Sequence, residues 1–123
     1  MKVLLDTHIL LWAIGDPAKL PVTVRDAILD QEVELVVSSV SLAEIEIKKS
    51  IGKLTFDFSL RDIEQDLRHR WLAFEVRHAE RLGALPLHHR DPFDRMLIAQ
   101  AASDDLVIAS VDERFVQYDV PVL

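Results

Sequence analysis

Short, continuously apolar segments that alternate with helix-like segments constrain this chain more than any other feature. Residues 3–5, 35–37 and 106–109 lack the alternation of polar and apolar side chains that a strand with one wet face would show. Strands buried on both faces are typical of parallel sheets, whose crossover connections are usually helices. The sequence therefore predicts an α/β fold, built from βαβ units around a parallel sheet.

The predicted elements fill nearly the whole chain, with no repeat or linker between them. Strands are predicted at residues 1–6, 33–38, 72–76, 106–109 and 120–123. Helices are predicted at residues 7–15, 23–31, 39–51, 59–71, 77–85, 92–103 and 112–118. Ser59 and Asp91 are the predicted N-caps of two of these helices, and Pro92 suits the first helical position.

Composition places the chain among ordered globular proteins. The 123 residues are 50% hydrophobic with only 3 glycines, which predicts one domain that covers residues 1–123. No apolar run approaches the length of a membrane span, and the start does not resemble a signal peptide, so no membrane role is expected. With 0 cysteines, disulfides and cysteine zinc sites are excluded, and a cytoplasmic location is expected.

The formal net charge of −7 argues against a nucleic-acid partner, which usually meets a basic surface. This objection weakens if several of the acidic residues bind a metal ion. It weakens further if a basic partner covers the acidic face.

Two candidate functional carboxylates follow the ends of predicted strands. Asp6 comes directly after the first strand, and Asp112 follows soon after the strand that ends at Ala109. Ligands of open parallel sheets bind beyond the carboxyl ends of the strands, so both acids are expected at that edge. Each acid is also explained more simply as a helix N-cap, and for Asp112 alone the simpler explanation is favoured.

Two further carboxylates lie on apolar faces of predicted helices. At about 100° per residue, Glu44 falls within about 40° of an apolar stripe that runs from Val40 to Ile51. Asp94 has only apolar neighbours on its own face of the helix predicted at residues 92–103. A buried carboxylate needs a partner. The simpler explanations are an ion pair of Glu44 with Lys48, and a capping role for Asp94.

Taken together, the four acids point to a metal site. Two lie at strand ends on one edge of the sheet, and two project from apolar helix faces. Hard oxygen ligands of this kind suit Mg²⁺ or Mn²⁺. A metal held in this way activates water and stabilises charge in phosphodiester hydrolysis.

Several stretches of the chain resemble PIN-domain ribonucleases of the kind found as the toxins of bacterial VapBC toxin–antitoxin pairs. The resemblance covers nearly the whole chain, and the order and spacing of the four acids match. The most specific stretch is HRDPFDRMLIAQA. The matching stretches are residues 4–8 (LLDTH), 38–48 (SSVSLAEIEIK), 52–54 (GKL), 85–86 (LP), 89–101 (HRDPFDRMLIAQA) and 110–112 (SVD).

This resemblance implies a three-layer α/β/α sandwich with a central parallel sheet. It implies that Asp6, Glu44, Asp94 and Asp112 are the catalytic acids that bind Mg²⁺ or Mn²⁺. The implied activity is metal-dependent endonucleolytic cleavage of RNA. A homodimer and a small antitoxin with a basic segment are the implied partners. One departure is Ser110, where the family often has threonine before its last and most variable acid.

Other polar residues near the acids are candidates for supporting roles. Thr7 and Ser39 are more simply explained as helix caps, whereas for Arg95 contact with RNA phosphate and a salt bridge to Asp91 are equally favoured. Ser110 keeps the hydroxyl expected beside the last acid.

Basic and apolar residues give further candidates. Residues 48, 49 and 53 are lysines that either contact the RNA backbone or form a solvated face, which we favour. His88 and His89 have no other ligands near them in sequence, which disfavours a zinc site. The helix at residues 7–15 is more apolar than one buried face requires, which favours an interface.

Four alternatives to a ribonuclease toxin are considered. An aspartyl-phosphate phosphatase would carry a second acid two residues after Asp6, where His8 stands. A phospho-receiver would carry an acceptor aspartate after residues 35–37, where Ser38 and Ser39 stand. A non-catalytic PIN-like module that binds RNA or protein should have lost an acid, and a housekeeping RNA-processing nuclease would keep all four.

Overall fold

A parallel sheet of four strands forms the centre of the computed structural model, which describes residues 1–55 and 57–123. The strand order is β3-β2-β1-β4, and every pairing is parallel. The strands are β1 (Lys2–Leu5), β2 (Glu34–Ser38), β3 (Arg70–Leu72) and β4 (Val107–Ala109).

Helices cover both faces of this sheet. They are α1 (Thr7–Gly15), α2 (Val22–Leu29), α3 (Ser39–Ser50), α4 (Leu60–Asp66), α5 (Val76–Gly83) and α6 (Pro92–Asp104), with 3₁₀ helices at Pro17–Lys19 and Glu113–Gln117. In the described part of the chain, no helix is long and apolar enough to cross a membrane.

Alternate residues of β1, one of the two inner strands, pack into two separate hydrophobic cores. Val3 and Leu5 belong to one core and Leu4 to the other, and all three are fully buried. Period-two alternation with both faces covered is the pattern of a strand between two helical layers. The predicted three-layer α/β/α sandwich is therefore confirmed.

The elements that flank the carboxylates closely follow the sequence prediction. The helices α1, α3 and α6 begin at the predicted residues. The side chains of Ser59 and Asp91 accept hydrogen bonds from the first turns of α4 and α6, as expected of N-caps. Gly52, which follows α3, has a φ of 73°, a conformation that suits glycine after a helix.

The helix predicted at residues 59–71 is wrong in its second half. The helix α4 ends at Asp66, and β3 begins at Arg70, before the strand predicted at residues 72–76. The backbone of β3 pairs with the edge of β2, where Val37 lies opposite Trp71. The backbone hydrogen bonds of β3 are made to β2, which is distant in sequence. A local helical pattern could therefore not predict this strand.

Other boundaries differ at the ends of elements. The helices predicted at residues 23–31 and 77–85 are observed at Val22–Leu29 and Val76–Gly83, and the one predicted at 112–118 is the 3₁₀ helix Glu113–Gln117. The edge strand predicted at residues 120–123 is reduced to a single bridge between Val122 and Ile108.

A buried amide joins α6 to the sheet close to the carboxyl end of β2. Ser38 donates its hydroxyl hydrogen to Gln100 Oε1, and Gln100 Nε2 donates to the carbonyl oxygen of Ala73 at 3.2 Å. Both Ser38 and Gln100 are fully buried. The amide therefore satisfies polar groups that water does not reach.

Gln100→Leu is expected to lower the free energy of unfolding by about 2–3 kcal/mol, because it leaves buried polar groups without partners while volume is nearly kept. Chemical denaturation measures this loss. Gln65→Leu, on the exposed surface of α4, is the control and should change stability little. Equal effects of the two substitutions would contradict a structural role for the Gln100 amide.

Candidate active site

A cleft of about 500 Å³ lies beyond the carboxyl ends of β1 and β4. All four carboxylates singled out from the sequence line it. Thr7, His8, Lys48, Lys53 and Asp91 also contribute to its walls. The parallel sheet thus gathers residues that are up to 106 positions apart, from Asp6 to Asp112, at one edge.

Asp6 is placed by the end of β1 and caps α1. Its Oδ1 accepts a hydrogen bond from the backbone N–H of Ile9 at 2.8 Å, and the hydroxyl of Ser110 also bonds to its carboxylate. Burial raises the pKa of Asp6 to about 6, an effect larger than the lowering by these hydrogen bonds. The same carboxylate is therefore a helix cap and a member of the acidic cluster.

The buried face of α3 differs from the apolar stripe predicted for it. Its buried residues are Val40, Ser41, Glu44 and Ile45. Ile47 and Ile51 are 46% and 59% exposed, so the predicted stripe fails beyond Val40. The buried face packs against α6 and α1, and on the α1 side Thr7 donates a hydrogen bond to Ser41 Oγ at 3.0 Å. Glu44 is nevertheless buried, as expected.

Glu44 combines a local ion pair with an unsatisfied oxygen. Lys48, at the predicted position one helical turn later, donates to Glu44 Oε2, and this hydrogen bond raises the pKa of Lys48. Glu44 Oε1 is buried and has no hydrogen-bond partner among the residues that the structure describes. An orphaned carboxylate oxygen costs folding free energy, which a cation in the cleft would recover.

Asp94 lies at the point where the charges of the cluster meet. Asp91 caps α6 by accepting from the backbone N–H groups of Phe93 and Asp94, so Asp94 itself is not the cap. Burial, followed by repulsion from Asp91 and the other three acids, raises the pKa of Asp94 to about 7. The prediction that Asp91 caps the helix while Asp94 points inward is confirmed.

Asp112 is the most strongly compensated of the four acids. Its carboxylate accepts two hydrogen bonds from the guanidinium of Arg114, at 3.0 and 2.9 Å, and these lower the pKa of Asp112. Its Oδ1 also accepts from the backbone N–H of Arg114, as an N-cap does. The simpler explanation of Asp112 as a cap is therefore correct, and it coexists with a place in the cleft.

His89 contacts two of the acids, although sequence analysis disfavoured a histidine metal site and did not assign His89 to the acidic site. It is 2% exposed, and its Nε2 lies 2.8 Å from Asp94 Oδ2 and 3.3 Å from Asp112 Oδ2. One potential ligand atom from each of these three side chains lies within 4.8 Å of the others. In sequence His89 looks like its neighbour His88, and only the tertiary fold decides which imidazole is buried.

The predicted supporting residues separate into two groups. Thr7 and Ser110 lie at the site, and Ser110 links two acids by bonding to Asp6 and accepting from the backbone N–H of Asp112 at 3.0 Å. Neither Thr7 nor Ser39 caps a helix, because Asp6 and Ser38 do.

Ser39 and Arg95 lie outside the cleft lining. The hydroxyl of Ser39 accepts from the backbone N–H of Phe74 at 3.2 Å. Arg95 donates to the carbonyl oxygen of Pro86 at 3.0 Å and to the hydroxyl of Tyr118 at 3.2 Å, and no ion pair with Asp91 is seen within the described ranges. Arg95 therefore orders the loop before α6.

The three candidate lysines also differ in position. Lys49 points to the carbonyl oxygen of Phe58 at 2.7 Å, whereas Lys48 and Lys53 line the cleft. Lys53 is exposed at its mouth. Two cationic side chains thus border a cleft that is otherwise acidic.

The donor set fits a hard divalent cation. Four carboxylates could supply oxygen ligands, one buried oxygen of Glu44 lacks a donor among the described residues, and burial followed by mutual repulsion raises the pKa of Asp94. A divalent cation would relieve both costs. The chemistry of these donors therefore fits a divalent cation, and the potential ligand atoms that already lie within 4.8 Å of one another belong to His89, Asp94 and Asp112.

Asp94→Asn is expected to stabilise the metal-free protein at about pH 8, by on the order of 1–3 kcal/mol. The folded state favours the protonated carboxyl, so wild-type stability falls as the pH rises from the ordinary pKa of 3.8 through about 7. The gain should therefore shrink towards zero near about pH 4. Urea unfolding in EDTA measures it.

The contrasting substitution is Asp104→Asn, which should destabilise the protein at neutral pH. Arg77 and His78 lower the pKa of Asp104 to about 2, so its contribution is present above 3.8 and is lost as the pH falls through about 2. A large loss of stability in metal-free Asp94→Asn would instead show that Asp94 is needed for packing.

Comparison with solved structures supports the architecture. A chain of VapBC2 from Rickettsia felis, solved with a DNA fragment from their promoter, has a TM-score of 0.73 and 15% identity, with 100% of this chain and 98% of that chain covered. A chain of DNA-bound VapBC from Salmonella typhimurium has a TM-score of 0.71 and 20% identity, with 100% of this chain and 97% of that chain covered. A chain of VapBC-5 from Mycobacterium tuberculosis, a member of the VapBC family of toxin–antitoxin systems, has a TM-score of 0.60 and 20% identity, with 99% of this chain and 97% of that chain covered.

At these identities, the likeness concerns the fold. No curated protein matches the chain. PIN domains are generally nucleases that use divalent metals, which agrees with an acidic cleft and supports a hydrolase. The model of the PIN domain matches residues 3–121, nearly the whole sequence, and the chain belongs to the PIN-domain family.

Proposed function

We propose that this chain is a metal-dependent endoribonuclease and the toxin of a toxin–antitoxin pair. The observation that carries the proposal is the buried Glu44 Oε1, which has no donor within the described residues although it lines a cleft with three other carboxylates. A structural ion pair would need only Lys48. The extra acceptor is explained if a cation completes the site.

The cation is Mg²⁺ or Mn²⁺, since the donors are carboxylate oxygens. Asp6, Glu44, Asp94 and Asp112 would hold it. When bound, it supplies an activated water and stabilises the charge that develops on the phosphate and the leaving oxygen.

The remaining side chains of the cleft prepare it for a phosphodiester. Ser110 orients Asp6 and the backbone of Asp112, and Thr7 fixes the start of α1 against Ser41. Lys53 lies at the mouth without a described ion pair, so it is free to contact an RNA phosphate. This arrangement supports RNA binding in spite of the net charge of −7.

The proposed partners are a small antitoxin and a second copy of the chain. Support for the antitoxin comes from the fold shared with chains of VapBC complexes. An acidic cleft whose lining includes the exposed apolar side chain of Val111 suits a basic segment with an apolar anchor. In this proposal, residues 1–123 act as one nuclease domain in the cytoplasm, which is compatible with the absence of cysteine.

RNA cleavage is the direct test of the activity. The purified chain is expected to cut a pool of structured RNAs in Mn²⁺ or Mg²⁺ and not in EDTA, because the cation supplies the activated water. Asp94→Asn should reduce the rate at least 100-fold, as expected when a ligand of the metal is lost (~3 kcal/mol). Gel analysis of the products measures both effects.

The matched control is Asp26→Asn, the same substitution at an exposed position of α2, which should cut like the wild type. Cleavage that survives EDTA or Asp94→Asn would reveal a contaminating nuclease. No cleavage by any folded preparation would favour a non-catalytic PIN-like module. Cleavage that no antitoxin inhibits would favour a housekeeping RNA-processing enzyme.

Metal binding is tested separately from cleavage. Saturating Mn²⁺ should raise the melting temperature of the wild type, since a ligand at about 100 times its Kd stabilises by about 2.7 kcal/mol. Glu44→Gln should lose most of this rise, because it removes one charged oxygen donor.

Glu46→Gln provides the comparison for Glu44→Gln, since Glu46 lies on the exposed side of the same helix. It should keep the full response to Mn²⁺. If both variants respond to Mn²⁺ as the wild type does, Glu44 is not a ligand and the orphaned oxygen has another explanation.

A further inference from the structure

His89 lies between two of the proposed metal ligands that come from different parts of the chain. Asp94 belongs to the first turn of α6, whereas Asp112 follows β4. The distances from His89 Nε2 are 2.8 Å to Asp94 Oδ2 and 3.3 Å to Asp112 Oδ2. One imidazole nitrogen therefore lies close to two carboxylates that come from separate elements of the fold.

The hydrogen-bond network assigns the tautomer of this imidazole. Nδ1 lies 3.3 Å from the backbone nitrogen of Asp91, whose N–H can only donate. Nδ1 is thus an acceptor, and the ring proton lies on Nε2, which hydrogen-bonds to Asp94 and lies within ion-pair distance of Asp112. If Nε2 were instead a metal ligand, the proton would have to move to Nδ1 and face the N–H of Asp91.

The surroundings of His89 hold the ring in this orientation. The hydroxyl of Tyr118 accepts from the backbone N–H of His89 at 2.9 Å, and Arg95 donates to that hydroxyl and, at 3.4 Å, to the carbonyl oxygen of His89. The ring of Phe115 packs edge-on, with centroids 5.9 Å apart. Three side chains from beyond the loop therefore fix a residue that itself lies in a loop.

We propose that His89 is a positioning residue, whose Nε2–H bridges Asp94 and Asp112 and holds both carboxylates where one divalent cation can contact them. The proposal rests on the proposed function, because it assigns His89 a role in that metal site. Without the bridge, the two like charges repel, and the two hydrogen bonds from Arg114 restrain Asp112 but not Asp94. His89 restrains the pair.

The test compares two substitutions of His89. His89→Gln keeps an N–H donor near the position of Nε2, whereas His89→Leu removes every donor. Residues that orient metal ligands typically contribute about 10–100-fold to metal affinity. His89→Leu is therefore expected to weaken Mn²⁺ binding by at least tenfold in titration calorimetry, and His89→Gln to recover most of that loss. RNA affinity in EDTA should stay unchanged in both.

His88→Leu is the control, because His88 is the exposed neighbour and packs only on Tyr118 among its described ring contacts. It should bind Mn²⁺ like the wild type. Circular dichroism verifies that each variant is folded, and if His89→Leu is not, the His89→Gln comparison and the wild-type spectra decide.

Spectroscopy of the wild type tests the same inference without any substitution. In metal-free protein, nitrogen-15 NMR should show the Nε2–H tautomer of His89. With Mn²⁺ bound, electron spin echo measurements should show no directly coordinated imidazole nitrogen. An Nδ1–H tautomer, a coordinated imidazole, or wild-type affinity in folded His89→Leu would each overturn the positioning role. Wild-type protein that binds no Mn²⁺ would instead overturn the proposed function itself.

Discussion

Burial of the parallel sheet on both faces is the constraint on which the rest of this structure depends. The central strand β1 is fully covered, with Val3 and Leu5 in one core and Leu4 in the other. Parallel strands that are covered by helices must all deliver their carboxyl ends to the same edge. The four acids near that edge therefore lie close together, although they are far apart in sequence.

Burial and mutual repulsion of the carboxylates cost folding free energy in this cleft. Three of the four acids have a local partner that offsets part of this cost. Asp6 is held by Ser110 and the helix N-terminus, Glu44 by Lys48, and Asp112 by Arg114. These partners do not complete the site, since Glu44 Oε1 is left without a donor in the described structure and the pKa of Asp94 rises to about 7. A folded chain tolerates such costs because the sheet and its helices supply stability elsewhere.

Much of this architecture and most of the acidic site were predictable from residue patterns. Continuous apolar runs identified β1, β2 and β4, and capping signals placed the starts of α4 and α6, at Ser59 and Asp91. The prediction failed for β3, because its backbone hydrogen bonds go to β2, a segment far away in sequence. It also failed for the buried face of α3, which packing against α1 and α6 selected in place of the most apolar stripe.

The sequence by itself determined the class of fold and the identity of the four carboxylates, because hydrophobic periodicity and strand ends are local properties of the chain. Only the tertiary structure decided what surrounds those carboxylates. In it, His89 is buried between Asp94 and Asp112, and Ser39 and Arg95 lie outside the cleft for which they were predicted. Hydrogen bonds and charge interactions between distant residues depend on distances and angles of a few ångströms, which exist only once both helical layers have packed on the sheet.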